Sequence, residues 1–553
     1  MAHQTLHLPD GKKFSVAPVF GGMGFRSLEH NSPLHPYPVG WMTVLHTEEE
    51  RVDLDGHGPV DGGSGGSGGS SSQDGTPDKD AVVTNQHGSA VPKPKRRTKP
   101  FRTPTLHNDS LFISSISLPS NSECKPAVSP TREIAMMLWI TLYWYFHQPE
   151  PDHSLETAAS KNTPAGAKPL GEWTIRIKRD GVLRGRNLIP KLERMGLIAS
   201  EDTSVGTAVD DNGDEWATMF TSKRMFWQSP GNLFLFTLQP IGKSLAPGLH
   251  STPASPISSR PASPREDAFR LEHRHQLSSS GALTPSGGQL AADVPGAPMP
   301  TAVATAPSFP IGPYFSASHL PTFYPAPPLQ YVFSDGIRHP LRPKPPRMGE
   351  VFYTRYIDSL GQYLSFRVAS CSAQPVPYLG PVGPKPPEQA HLCNMCDKDL
   401  VQSWFENPRV KEFWGTCAPD FLESALRSKH SFPVVGLWDG VPFGYFELYW
   451  VKEDALGRHV GSEVGDWDRG IHIMVGEEWS RGRVAAWLTS LVHWCLTCDS
   501  RTMNVCLEPR IDNKRVMKHL DACGFAKEKQ VSFPHKQAWY VRLKRESWNG
   551  PAL

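Results

Sequence analysis

Two stretches of this chain cannot bury a core, and they decide which parts of it can fold. Residues 56–100 carry GGSGGSGGSSSQDG and then KPKRRTK, and residues 244–346 are rich in Pro, Ser and Ala (STPASPISSRPASPRE, PTFYPAPPLQ). Such sequence offers too little apolar surface to offset the entropy of ordering, so both read as flexible linkers. What remains is an N-terminal region, 1–55 with 101–243, and a C-terminal region, 347–548. The 553 residues include 54 Pro and 47 Gly but also 16 Trp and 25 Phe, so the apolar deficit is local to the linkers.

Charge excludes one broad class. With 57 Lys and Arg against 55 Asp and Glu the net charge is +2, so no general nucleic-acid-binding polycation is expected. The cluster KPKRRTK reads as the solvated flank of a loop rather than a nuclear signal. The longest apolar run, Ile134 to Phe146, is too short to cross a bilayer and reads as a core helix. The start MAHQTLHLPDGKKF lacks the basic and apolar parts of a signal peptide. Nine scattered cysteines suit a reducing compartment. Cytoplasm is therefore expected. The final Pro-Ala-Leu is a poor match to a peroxisomal tripeptide, which leaves the peroxisome as the alternative.

The pattern of elements is α+β. The N-terminal region shows strand-like runs (KFSVAPVF, GWMTVLH), a strand at Leu111 to Leu118, a helix at Thr131 to Phe146, and a strand at Leu233 to Leu238. Between them, Leu188, Ile189, Leu192 and Met195 recur at helical spacing before Gly196. That basic helix suggests a winged-helix DNA reader, which nothing else in the chain supports. From Gly349 onward, strands are expected at Val351 to Tyr356, Tyr363 to Val368, Phe432 to Leu437, Phe443 to Trp450, Gly470 to Val475, Met503 to Leu507, Gln530 to Phe533 and Ala538 to Leu543. Helices are expected at Asp397 to Glu406, Pro419 to Ser428, Gly482 to Cys498 and Asp512 to Cys523. This order implies a mixed sheet flanked by helices.

Chemistry concentrates in DWDRGIHIMVGEEWSRGRVAAW, Asp466 to Trp487. An apolar strand with a single histidine, His472, ends at Val475 and Gly476, and a loop presents Arg481, Gly482 and Arg483 before a helix. Backbone amides at such a junction, with the helix N-terminus and two arginines, suit a pyrophosphate. The strand Met503 to Leu507 then leads into EPRIDN, with Asp512 and Asn513 opening a helix that ends in Cys523-Gly524-Phe525.

These residues resemble the GCN5-related N-acetyltransferase (GNAT) superfamily. WFENPRVKEFW, GYFELYWVKED, DRGIH and EPRIDNKRV, in that order, are similar to the siderophore acyltransferases of the aerobactin and mycobactin type, and most to the fungal N5-hydroxyornithine acyltransferases. The likeness is strong over Gly349 to Trp548 and weaker at LHLPDGKKFSVAPVFGG and Leu188 to Ile198. The family's loop places glycines where this chain has Gly482 and Val484, and a cationic or amide residue where it has Trp479. Resemblance implies transfer of an acetyl group from acetyl-CoA to the hydroxylamine nitrogen of N5-hydroxyornithine, giving a hydroxamate for a ferrichrome-type siderophore such as ferricrocin. The product then passes to a siderophore peptide synthetase. An anhydromevalonyl-CoA donor is the alternative within the class, and a non-catalytic scaffold or regulator the alternative outside it. The N-terminal region is expected to be α/β, in the family's manner a degenerate second GNAT-like fold.

Residue roles follow from the resemblance and from side-chain chemistry together. A hydroxylamine nitrogen is already unprotonated near neutral pH, so it needs orientation and a polarised thioester more than a strong base. His472 is expected to orient it or take its proton, with Asp512 as a second catalytic group or simply a helix cap. Val475, Gly476, Arg481, Gly482, Arg483 and Asn513 are expected around the coenzyme. Glu447 and Tyr449, on one face of a strand by period two, and Trp404 and Trp414 are expected around the acceptor or acyl group. Cys393/Cys396 and Cys495/Cys498 are not read as a metal site, since the second pair falls inside a helix.

Overall fold

The computed structural model describes residues 3–28, 39–49, 83–84, 90–91, 97–117, 130–185, 188–200, 219–229 and 329–553. The expected strand Leu233 to Leu238 lies outside these residues. In the N-terminal half the strands are β1 (Gln4–His7), β2 (Lys13–Val19), β3 (Gly22–Ser27), β4 (Gly40–Glu49), β5 (Arg97–Pro100) and β6 (Asp109–Ser117), followed by α1 (Pro130–Phe146), β7 (Thr174–Ile177), α2 (Ile189–Arg194), β8 (Ala199–Ser200), β9 (Met219–Ser222) and α3 (Lys223–Gln228). A hairpin, β10 (Tyr331–Ser334) and β11 (Ile337–Pro340), precedes the C-terminal half. That half runs β12 (Val351–Ile357), β13 (Gln362–Val368), α4 (Asp397–Glu406), α5 (Pro408–Trp414), α6 (Phe421–Arg427), β14 (Ser431–Trp438) and β15 (Val441–Trp450). It continues with α7 (Ala455–Val460), β16 (Arg469–Val475), α8 (Val484–Cys498), β17 (Asn504–Leu507), α9 (Lys514–Ala522), β18 (Ala526–Ser532) and β19 (Gln537–Lys544).

The two halves repeat one topology. The N-terminal sheet has the order β1-β2-β3-β4-β6-β7-β9-β8, with β5 added against β4, and the C-terminal sheet the order β12-β13-β14-β15-β16-β17-β19-β18. Each is antiparallel except at one junction, Ser110↔Arg176 and Leu111↔Ile177 in the first, Arg469↔Val505 and Gly470↔Cys506 in the second. A parallel neighbour requires a crossover, and a helix supplies it both times, α1 and α8. The N-terminal half is thus an α/β unit with the strand order of the C-terminal half.

Only the second half keeps an open junction with chemistry in it. Register places Ile113 where the C-terminal half has His472 and Thr43 where it has Glu447. Two residues past the parallel pairing stands Arg179, where the C-terminal half has Glu508. The turn after β7 also folds back over β6: Lys178 donates its amide to Leu111 O, and a Cβ on Gly181 would lie 2.2 Å from Ile113 O. The first cleft is therefore filled by its own backbone.

Apolar residues of both sheets and of α1, α3 and α8 form one core. At the seam, Arg224 donates to Glu546 O (2.6 Å), Gln228 to Arg545 O (3.0 Å), and His7 stacks on Tyr356 at 4.0 Å. His147 and His493 flank Trp227 there, each with its ring 5.5 Å from the indole. Burial, with Arg355 nearby, pushes both imidazoles down to about 3. Unfolded, they titrate near 6.5, so below that pH the unfolded chain binds more protons and the fold is destabilised. We predict that stability falls as pH drops from about 6.5 toward 3. His493→Gln should shrink the slope of the urea midpoint against pH in that window, and an unchanged slope would contradict the assignment.

Both linkers were expected to run further than they do: within 56–100, Val83–Thr84 pairs with Ala90–Val91 and β5 pairs with β4, and the Pro/Ser-rich stretch, expected to reach Pro346, ends earlier. Asp335 and Gly336, at φ 49° and 80°, make the two-residue hairpin turn between β10 and β11. The segment after it is pinned by Arg342, which donates to both oxygens of Glu453 (2.7 and 2.6 Å) and lies 4.4 Å from the Trp450 ring centre. Among the described residues no helix is long and apolar enough to cross a membrane.

Candidate active site

Period two places Tyr445, Glu447 and Tyr449 on one face of β15, and antiparallel register sets Glu447 directly opposite His472 on β16. On the other side of β16 the ladder to β17 stops at Gly470↔Cys506, so β16 has no strand partner on that edge from Ile471 to Val475. The two strands diverge, and Glu508, the first residue past β17, stands across the gap from His472. Trp414, at the end of α5, places its ring edge-on to the imidazole (6.4 Å, 90°) and donates Nε1 to Ile473 O at 3.1 Å.

The result is a histidine held between two carboxylates. His472 Nδ1 is 2.8 Å from Glu447 Oε2, and Nε2 is 2.8 Å from Glu508 Oε1. Tyr445 donates to Glu447 Oε1 (2.8 Å) and Tyr449 to Glu508 Oε2 (2.7 Å). The side chain of His472 is 28% exposed and that of Glu508 only 7%, so the array opens to solvent on the imidazole side. Burial opposes charge on the ring, but Glu508 and Glu447 outweigh it and hold the imidazole well above its usual range. Burial likewise opposes charge on Glu508, and His472, with Lys536 beyond, overrides it and brings the carboxyl down to about 2. At neutral pH the array is an imidazolium between two carboxylates.

Gly470 lets this array close. A Cβ there would lie 2.0 Å from the Tyr449 ring, so only glycine allows that ring to lie tilted by 33° at 4.4 Å from the imidazole and reach Glu508.

The turn after β16 has a different character. A 3₁₀ segment, Glu478–Arg483, leads into α8. Gly482 faces open space, with nothing within 4 Å of where a Cβ would stand. Burial lowers the pKa of Arg481, and the nearby charges of Arg409 and Arg515 lower it further. Three cations thus gather around one exposed carboxylate, Glu478 (2.9 Å from Arg409, 3.5 Å from Arg481), at the N-terminal end of a 15-residue helix, beside an unpaired strand edge. This donor set fits a polyanionic ligand with an amide-bearing tail, as an acyl-CoA is.

Residues 394–533 match the acetyltransferase (GNAT) domain family. Over 543 residues, 97% of this chain and 100% of the relative, the sequence is 55% identical to the N5-hydroxyornithine acetylase of Beauveria bassiana. The chain belongs to the N5-hydroxyornithine acyltransferases of the GNAT superfamily. It is also 36% identical to the N(6)-hydroxylysine O-acetyltransferase of Escherichia coli (216 residues; 38% of this chain, 60% of that one). It is 35% identical to the N(5)-hydroxyornithine:cis-anhydromevalonyl coenzyme A-N(5)-transacylase of B. bassiana (214 residues; 37% and 42%). Membership of this family leaves the scaffold reading without support.

The other expected site residues of this acyltransferase divide. Val475 is half-buried at the end of the open edge, and Arg481 and Gly482 border the cationic turn. Arg483 is held elsewhere: it donates to Gln362 Oε1 (2.6 Å) and lies over Trp438 and Trp479. Trp404 is 2% exposed, its ring resting on Gly476 and its Nε1 donating to Glu477 Oε1 (2.8 Å), so it supports the turn from behind. Asp512, 60% exposed, binds Arg510 (2.7 and 2.8 Å) and makes no contact with the imidazole, while Asn513 caps α9 through the Val516 amide. The second acid on His472, across the ring from Glu447, is Glu508, which was not among the expected residues. Its signal is a carboxylate directly after an apolar strand, at the point where the partner strand carries its histidine.

Proposed function

We propose that this enzyme transfers an acetyl group from acetyl-CoA to the side-chain nitrogen of N5-hydroxyornithine, in the cytoplasm. The resulting hydroxamate would be consumed by a siderophore peptide synthetase. The observation that carries this reading is the array Glu447–His472–Glu508 at the open junction of β16 and β17, in a chain related over its full length to an N5-hydroxyornithine acetylase.

The N–C bond forms as the thioester C–S bond breaks, and the nitrogen's proton must leave. In this reading His472 does not take that proton, because both its nitrogens are bonded to carboxylates, which favour the charged ring. Its work is to hold two carboxylates apart and aimed into the cleft. A carboxylate is a weak base, yet a nitrogen bonded to oxygen and gaining positive charge on attack is a strong acid, so Glu447 or Glu508 suffices. The departing thiolate ends protonated, which balances the step. Arg481, with Arg409 and Arg515, would hold the donor's phosphates, and coenzyme A supplies the activated thioester.

The test is direct. Purified enzyme with acetyl-CoA and N5-hydroxyornithine should release thiol and form a product that gives the coloured ferric hydroxamate, while ornithine gives none. A panel of acyl-CoA donors of increasing size separates acetyl from anhydromevalonyl transfer. Thiol release without hydroxamate, or equal turnover of ornithine, would overturn the proposal.

A further inference from the structure

The array bears one net negative charge, with two carboxylates and one imidazolium. An acceptor that is an amino acid brings its own carboxylate toward that site. Glu447 and Glu508 repel that carboxylate and attract the α-ammonium beside it, so a cation at the acceptor's far end is needed to keep the hydroxylamine end toward the array. Among the described residues, Lys536 is the lysine or arginine in contact with the array. It sits in the turn joining β18 to β19, where Phe533 donates its amide to Lys536 O (2.8 Å), and its Nζ lies 5.1 Å from the Phe533 ring centre.

Nζ donates to Glu508 O at 3.0 Å and lies 3.6 Å from Glu508 Oε1, the oxygen that also meets His472 Nε2. An ammonium has three N–H donors, so one remains, and the side chain is 21% exposed. Arg510 is the nearby alternative, but its charge is already matched by two exposed carboxylates, Asp512 (2.7 and 2.8 Å) and Glu412 (3.5 Å), neither of which belongs to the array. Two short links, His472 to Glu508 and Glu508 to Lys536, separate the imidazole from the ammonium. The four carbons between the hydroxylamine nitrogen and the carboxyl carbon of N5-hydroxyornithine can span that gap.

We propose that Lys536 selects an amino-acid acceptor by pairing with its α-carboxylate, which turns the hydroxylamine end toward the array. The inference rests on the acceptor named above and assigns the residue that discriminates it. The aliphatic chain then lies along Glu508, and a hydroxylamine without the carboxylate reaches the same carboxylates with its far end unanchored.

The test compares N5-hydroxyornithine with its decarboxylated counterpart, 4-(hydroxyamino)butylamine, on wild type, Lys536→Met and Lys536→Arg. Loss of one charge-assisted pairing is worth about tenfold. Wild type should prefer the amino acid in kcat/KM by about that factor, Lys536→Met should bring the ratio of the two acceptors to near one, and Lys536→Arg should retain a preference. A Lys536→Met enzyme slowed equally on both acceptors, with the wild-type ratio intact, would overturn the proposal and leave Lys536 acting on Glu508 alone. If wild type turns over neither acceptor, the reading of the reaction fails by itself. Calorimetric binding of the two compounds in the presence of coenzyme A then decides on Lys536 by the same ratio.

Discussion

Glu508→Gln is expected to lower kcat roughly a hundred- to ten-thousandfold, the range that a positioned acid–base group contributes. The amide is nearly isosteric, so Tyr449 keeps a hydrogen-bond partner and the thermal midpoint should move little. What disappears is the charge that, with Glu447, holds His472 as an imidazolium, together with one of the two carboxylates able to take the nitrogen's proton. KM for acetyl-CoA should stay within a few-fold, because the cationic turn at Arg481 belongs to a separate stretch of chain. His472→Ala removes the spacer between the carboxylates and is expected to cost about tenfold or more. Near-normal kcat in Glu508→Gln would remove Glu508 from the mechanism, and near-normal kcat in Glu447→Gln as well would remove the array.

Asp397→Ala is expected to cost about 3–5 kcal/mol of stability, the penalty for leaving a buried charge without its partner. Asp397 is 1% exposed and Arg367 4%, and the pair is bidentate, with both N–O distances 2.5 Å and the Ser370 amide also donating to Asp397. The pair ties β13 to the first turn of α4, where a carboxylate also suits the helix dipole. α4 carries Trp404, whose ring supports the turn at Gly476, so the same substitution should weaken coenzyme binding. A double change to matched apolar residues, Arg367→Met with Asp397→Leu, should recover most of the loss in a urea titration. A single variant that loses less than about 1 kcal/mol would show that the pair is solvated or dispensable.

Much of the C-terminal fold was legible in the chain because its strands alternate or run apolar and its long helix has an unbroken apolar stretch. Strand and helix bounds agree within a residue or two through β12 to β17, and the Asp397 helix agrees at both ends. Helix α8 begins at Val484 rather than Gly482, because Glu478–Arg483 forms a tighter 3₁₀ lead-in that spacing cannot distinguish from α. α5, α7 and the β10–β11 hairpin were not expected although all three carry local signals, Asp454 capping α7 through the Leu456 amide. Asn407 caps the Arg409 amide and Pro408 opens α5, and Asp335-Gly336 is a hairpin turn hidden in proline-rich surroundings.

The site was legible where it lies on one strand pair and obscure where it depends on a crossover. Glu447, Tyr449 and His472 follow from period two and antiparallel register. Glu508 reaches them only because a parallel strand returns beside β16 after a whole helix, a juxtaposition no local pattern encodes. Asp512 drew the expectation instead because it opens a helix in a resembling motif, but its distance along the turn leaves it free to pair with Arg510. The repeated topology of the N-terminal half was likewise out of reach of local pattern, since register, not residue type, reveals it.

A structure of the enzyme with coenzyme A and N5-hydroxyornithine bound together tests the account most directly. The sulfur should lie between β16 and β17 against the open edge beyond Gly470, with the hydroxylamine nitrogen about 3 Å from an oxygen of Glu447 or Glu508. Coenzyme A seated away from that junction, or an acceptor nitrogen out of reach of both carboxylates, would contradict it.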